Sequence, residues 1–474
     1  MYCILHPDFA LRSWSDFPFA AVGMGNNDKI IRLSTKEFAV LIQADGTHDI
    51  EETETTEELL GCGLLIRCEK GERSLLPTQN YMLCDNYFIA GALFEITYRC
   101  NMKCKHCFIY SDSTSEKMEM AISDFNQLLD GIFQCGIKNV ALTGGEPLLH
   151  KEFPRILDLI SDHHMTLVDL YTNGVLLDDA IVEKIVEHGF PTKINISFDG
   201  IGYHDSLRGM LGSEQKVLEA IKRSVDKGFH VKVNVNVNED NKAVISKTLD
   251  TLDEIGVSEA ILIRTSESPR WLANKGRSMT AQDYYDYLLE LLKAYTAKPR
   301  SMNIRIAHIM GLDVPNKELN FTAISSCAGS CVNVPVCSEA RHMLTIGATG
   351  NVYPCPEISG VMDMMGVELE NALEQPIQGI LREGKYADWM NKKSQERIQH
   401  SAKCRECQYS SFCLGGCPAI SCVTPDHYGD FWNYNPWQCT FFEGNYASKF
   451  INALAGYRCT NPGIDTVLKF MESK

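Results

Sequence analysis

The chain has 474 residues, 45% of them hydrophobic and 22% charged, which is the composition of a soluble globular protein too long for one ordinary core. A formal net charge of −16 argues against a general nucleic-acid binder and against attachment to a membrane surface, because both need clustered Lys and Arg. No apolar run approaches bilayer length, and Met1-Tyr-Cys-Ile-Leu-His-Pro-Asp8 lacks a basic segment leading into an apolar core, so a cytoplasmic protein is expected. Nineteen cysteines in a reducing compartment then point to metal ligands and away from disulfides.

In chain order, the first elements predicted are a strand at Lys29–Leu33, a short helix from Ser34 to Gln43 capped by Ser34 or Thr35, and a turn at Ala44–Gly46. An acidic stretch then leads to Leu59–Arg67, which reads as a helix end followed by a strand. Residues 1–90 are therefore expected to form a small winged-helix-like domain, whose alternative is a cap without function.

From 91 to 309 the pattern alternates. Strand-like runs at Leu93–Thr97, Asn139–Thr143, Thr166–Thr172, Lys193–Phe198, His230–Val237 and Ala260–Arg264 are separated by helical stretches. Two of those stretches stop at Gly136 and Gly228. This predicts an α/β fold in which a parallel sheet makes a partial (β/α)6 TIM-like barrel, with chemistry at the C-terminal strand ends. Beyond 310 the alternation stops and Cys, Pro, Gly and aromatic residues crowd in, so residues 310–474 are expected to depend on metal for their order.

Just after the first barrel strand comes Cys100-Asn-Met-Lys-Cys104-Lys-His-Cys107, a CxxxCxxC triplet. Three thiolates on one loop can hold three corners of an iron–sulfur cube and leave its fourth iron open; a zinc knuckle is the alternative, with His106 as the one local fourth ligand. About 40 residues on, Thr143-Gly-Gly-Glu-Pro147 ends the second strand: two glycines allow close backbone approach, and a carboxylate can accept from an ammonium group. The pair resembles the radical S-adenosylmethionine (SAM) enzymes. That resemblance implies a cluster on Cys100, Cys104 and Cys107 that cleaves SAM to a 5′-deoxyadenosyl radical, with Gly144, Gly145 and Glu146 at the methionyl amino group. It also makes Thr172, Asn173, Ser197 and Asp199, at the ends of the third and fourth strands, candidates for SAM contacts, turn capping being the other account of each. Arg208 could pair with a carboxylate of SAM or substrate, or form a surface ion pair.

The later cysteines carry a second pattern. Cys337 is followed by twelve residues, Gly350, four more and Cys355; then come Cys404-x2-Cys407-x5-Cys413-x3-Cys417 and Cys439. This order resembles the SPASM domain, whose two auxiliary [4Fe-4S] clusters would take Cys331, Cys337, Cys355 and Cys417 in one and Cys404, Cys407, Cys413 and Cys439 in the other. Two structural zinc sites are the alternative. Cys327 could replace Cys331 or leave its cluster open.

The resemblance implies three [4Fe-4S] clusters, SAM, and an electron donor such as flavodoxin or ferredoxin. It also implies an N-terminal domain that recognises a leader by taking it as an added strand. The expected substrate is a ribosomally synthesised precursor peptide, cross-linked by thioether bonds from Cys to Cα or Cβ carbons as in sactipeptide maturation. Carbon–carbon cross-linking, formylglycine formation in a sulfatase, and a metal-stabilised binding protein without turnover are the alternatives. The sulfatase branch carries Asp directly after its Pro-Cys cysteine, whereas Pro356 and Glu357 follow Cys355 here.

Overall fold

The computed structural model describes residues 1–474 except 15–16, 25–28, 85–88, 90, 108–118, 268, 326–331, 338–342 and 473–474. The N-terminal unit contains β1 (Cys3–Leu5), β2 (Phe9–Trp14), β3 (Phe17–Gly23), β4 (Ile30–Arg32), β5 (Leu65–Arg67) and β6 (Met82–Leu83). The sheet order is β4-β3-β2-β6, with a separate β1-β5 pair, so β4 lies at an edge. Ser34 caps the helix Thr35–Leu41 in a reciprocal box: its Oγ accepts from Glu37 N at 3.2 Å while Glu37 Oε2 accepts from Ser34 N at 2.7 Å. Such a cap is worth about 1 kcal/mol. With the second helix, Glu54–Gly61, this element closes a core of its own around Leu5, Phe9, Leu11, Leu41, Leu59 and Leu65.

Six strands follow in the predicted order: β7 (Gly91–Thr97), β8 (Asn139–Gly144), β9 (Thr166–Thr172), β10 (Lys193–Ser197), β11 (His230–Val237) and β12 (Glu259–Arg264). Each runs parallel to the next, with a helix in every crossover, the arrangement of a partial barrel. All of β7 is buried, as a parallel strand covered on both faces must be. The helix Ile122–Gln134 turns Phe125, Leu128, Leu129 and Ile132 inward at helical spacing, and Gly136, at φ +78°, ends that stretch.

The sheet does not stop where the alternation does. β13 (Asn303–Ile306) adds parallel to β12, and β14 (Met310–Asp313) and β15 (Glu318–Asn320) follow antiparallel. At the other edge β16 (Met343–Ile346) lies parallel to β7 and carries β17 (Val352–Tyr353), while β18 (Arg458–Cys459) closes beside β15, making twelve strands. The β16–β17 hairpin thus brings the Cys355 segment against the first barrel strand. Among the described residues no helix is long and apolar enough to cross a membrane.

Candidate active site and cysteine clusters

The C-terminal ends of β7 to β10 converge on the CxxxCxxC loop. Its backbone is pinned from two sides. Lys103 N and Lys105 N donate to Arg208 O and Leu207 O at 3.0 and 2.9 Å, and Gly145 N and Glu146 N donate to Thr97 O and Arg99 O at 2.7 and 2.8 Å. The two glycines are there for that approach: a Cβ on Gly144 would run into the Thr97 carbonyl and one on Gly145 would lie 2.8 Å from the Arg99 carbonyl carbon. Gly144 also sits at φ +135°, which an L-residue rarely adopts.

Glu146 is fully buried, and its carboxylate accepts from Thr172 Oγ1 at 2.7 Å, Asn173 N at 2.7 Å and Leu148 N at 3.2 Å. Burial pushes the acid up to about 7, against those hydrogen bonds. It ties the ends of β8 and β9 together. Asn173 Nδ2 donates to Asn101 Oδ1 at 2.6 Å and lies 4.0 Å from Cys100 Sγ, so Thr172 and Asn173 cap the loops around the thiols. Ser197 closes β10 and is half-buried.

Arg208 forms no surface ion pair. It is buried, and its Nε donates to Asp199 Oδ2 at 2.5 Å while Nη1 lies 3.8 Å from Cys104 Sγ. Burial would push Asp199 up, but Arg208, His106 and His204 hold it below the usual carboxylate range. Asp199 also accepts from Asn236 N at 2.9 Å, linking β10 to β11. The pair gives Cys104 a fixed cation on one side. His106 Nδ1 is buried without a partner, and burial next to Arg208 pushes this imidazole down to about 3, so it stays neutral. Cys100 and Cys104 are 8% and 9% exposed, and burial pushes Cys100 up to about 12. Buried thiols gathered against one another ionise only when a metal takes up the charge.

The later cysteines form two groups. Cys404, Cys407, Cys413 and Cys439 line one small cavity. Cys337, Cys355 and Cys417 approach closely enough to perturb one another: burial, then Glu357, Cys417 and Cys337, push Cys355 well up, whereas His308 overcomes burial to lower Cys417. Cys331 and Cys327 lie outside the described residues. Among the described residues only His308, Glu357 and Cys417 bring three ligand atoms within 4.8 Å of one another. No three thiols of the triplet or of the four-cysteine cavity come within that distance of one another, whereas a tetrahedral zinc ion with Zn–S near 2.3 Å imposes a spacing of about 3.8 Å.

Sequence reasoning missed several groups. His308, in the β13–β14 turn, holds Glu357 Oε1 at 3.1 Å, and no motif marks it. Arg264, at the end of β12, stacks 4.3 Å over Trp437 in a small cavity that His308 also lines; its strand-end position was the available signal. Cys422, which belongs to neither cysteine group, is buried among Tyr353, Ile358, Val361 and Phe431.

Residues 94–252 match the radical SAM superfamily, and residues 337–408 match SPASM, an iron–sulfur cluster-binding domain. The chain is 21% identical over 335 residues to the PqqA peptide cyclase of Granulibacter bethesdensis, covering 69% of this chain and 82% of that protein. It is 26% identical over 344 residues to an AdoMet-dependent heme synthase of Methanosarcina barkeri, covering 68% and 89%. In fold it resembles Streptococcus suis SuiB bound to the precursor peptide SuiA, with a TM-score of 0.64 at 15% identity over 92% of this chain and 99% of that one. The chain therefore carries a radical SAM domain and a SPASM domain, and its cofactors are S-adenosylmethionine and [4Fe-4S] clusters.

Proposed function

We propose that this enzyme modifies a ribosomally synthesised precursor peptide, joining a peptide cysteine through a thioether to the Cα or Cβ of another residue. The observation that favours a peptide is the N-terminal unit, which has its own core and leaves β4 at a sheet edge with Ile30 and Ile31 half-buried and Arg32 exposed. An open edge can take an extended leader as an added strand. The likeness to SuiB leaves fewer residues unmatched than this unit contains, so it must extend into the unit.

Cys100, Cys104 and Cys107 would hold the SAM cluster, and bound SAM would supply a radical able to abstract hydrogen from an unactivated carbon. Gly144 and Gly145 would set the backbone that meets the methionyl end, and Glu146, Thr172 and Asn173 would hold that backbone in place. Asp199 would orient Arg208 against Cys104, and Ser197 would face the ribose side. Cys331, Cys337, Cys355 and Cys417, and Cys404, Cys407, Cys413 and Cys439, would hold the auxiliary clusters, which can accept the electron left after bond formation. A flavodoxin or ferredoxin would be the donor.

The test is mass spectrometry of a Cys-rich precursor incubated anaerobically with the reconstituted enzyme, SAM and dithionite. The expected product has lost two hydrogens per cross-link and the matching cysteine resists alkylation. A product whose cysteines all alkylate would shift the assignment to carbon–carbon bonds, and formylglycine would shift it to sulfatase-type maturation. Equal affinity for the precursor with and without its leader would refute the role given to the N-terminal unit.

A further inference from the structure

The most conspicuous isolated charge in the interior is Arg397, in the helix Ser394–His400. Its side chain is fully buried. The guanidinium donates to Gly416 O, to Ser421 Oγ at 2.6 Å and to Asn433 O at 2.9 Å, and its Nε has no partner. All three acceptors are neutral, and among the described residues no carboxylate forms an ion pair with it. Arginine cannot shed its proton, and a cation held this deep without an opposite charge costs several kcal/mol.

Its position points to the missing charge. Arg397 grips the Leu414-Gly-Gly416 turn that joins Cys413, which lines the four-cysteine cavity, to Cys417, which belongs to the other group. Gly415 and Gly416 both adopt left-handed φ, +83° and +74°. A Cβ on Gly415 would lie 3.0 Å from Arg397 Nε, so the glycine lets the guanidinium rest on the turn. Gly415 N in turn donates to Cys413 Sγ at 3.4 Å. Burial works against the charged arginine, and the thiols of Cys417, Cys404, Cys413 and Cys337, from both groups, oppose that effect. Lys403 lines the four-cysteine cavity alone and is exposed.

We infer that Arg397 is the shared counter-ion of the two auxiliary clusters, a positioning residue that balances their negative charge and holds both at a higher reduction potential than a neutral site would. The inference rests on the assignment of these cysteines to clusters. Cluster charge and hydrogen bonding to the sulfurs are the levers by which a protein sets such potentials.

The test compares Arg397→Met and Arg397→Lys by iron content and by EPR-monitored redox titration. The background is Cys100→Ala, Cys104→Ala, Cys107→Ala, so that only auxiliary clusters contribute. Arg397→Met is expected to shift the reduction equilibrium at least tenfold toward the oxidised form, 59 mV for a one-electron couple, while Arg397→Lys stays closer to the parent. Loss of auxiliary iron in the Met variant with retention in the Lys variant leads to the same conclusion. Full iron with unshifted potentials in Arg397→Met overturns it, as does equal loss of iron in both variants, which would assign the role to the shape of the guanidinium. A parent that shows no auxiliary signal overturns the cluster assignment itself, a result distinct from failure at Arg397.

Discussion

Replacing Glu95 with Gln should stabilise the protein at alkaline pH. Glu95 lies in β7 with no exposed surface, and one carboxylate oxygen accepts from Ser359 Oγ at 2.8 Å across the junction with the C-terminal domain. Burial, opposed by the Ser359 and Tyr98 hydroxyls, pushes the acid from 4.5 up to about 7. The folded state therefore keeps a proton that the unfolded chain has released. Stability from this group is highest below about pH 4.5, falls as pH rises toward about 7, and is level beyond. At 1.36 kcal/mol per pKa unit the ionised group costs about 3 kcal/mol above pH 7. Glutamine removes that cost and leaves an amide to satisfy, about 1 kcal/mol in the other direction. With an unfolding entropy of about 2.1 cal/mol/K per residue, Glu95→Gln should raise the melting temperature by about 2–3 °C at pH 8.5 if the whole chain melts together, and leave it unchanged or lower at pH 5. Anaerobic melting curves of both proteins from pH 5 to 9 measure this. A difference that does not change with pH, or a variant less stable than the parent at pH 8.5, would refute the buried-acid account.

Three further changes test the site. Asp199→Asn leaves Arg208 buried without its partner and should cost about 3–5 kcal/mol when the cluster is absent, as measured by melting of iron-free protein; Asp199 is depressed, so the deficit should be the same at pH 6 and pH 9 and should shrink only at acid pH. Gly144→Ala forces a Cβ into the Thr97 carbonyl at a φ it disfavours; SAM affinity measured by calorimetry should fall at least tenfold, and unchanged affinity would show that the two loops need not touch. Cys413→Ala with Cys439→Ala should spare 5′-deoxyadenosine formation and abolish cross-linked peptide, with iron content and solubility followed as controls.

The six barrel strands were legible because each is a β-rich apolar run separated from the next by a helical period, which is local information. β2 was not: its residues Phe9–Trp14 are all buried, so no two-residue alternation marks it. Nor was the extension of the sheet, since β16 pairs with β7 across most of the chain and β17 and β18 are two residues long. The cysteine sets were visible as spacing. What surrounds them was not: Asp199 and Arg208 were candidates for SAM contact, but their pairing with each other beside Cys104 was not legible, and the His308–Glu357 pair and Arg397 join segments that meet only in three dimensions.

The most direct test replaces Cys100, Cys104 and Cys107 with Ala and counts iron and 5′-deoxyadenosine after anaerobic reconstitution with SAM and dithionite. The parent should hold about twelve irons per chain and release 5′-deoxyadenosine; the variant should lose about four irons and release none. A variant that keeps its full iron, or still cleaves SAM, would contradict the assignment of the active centre.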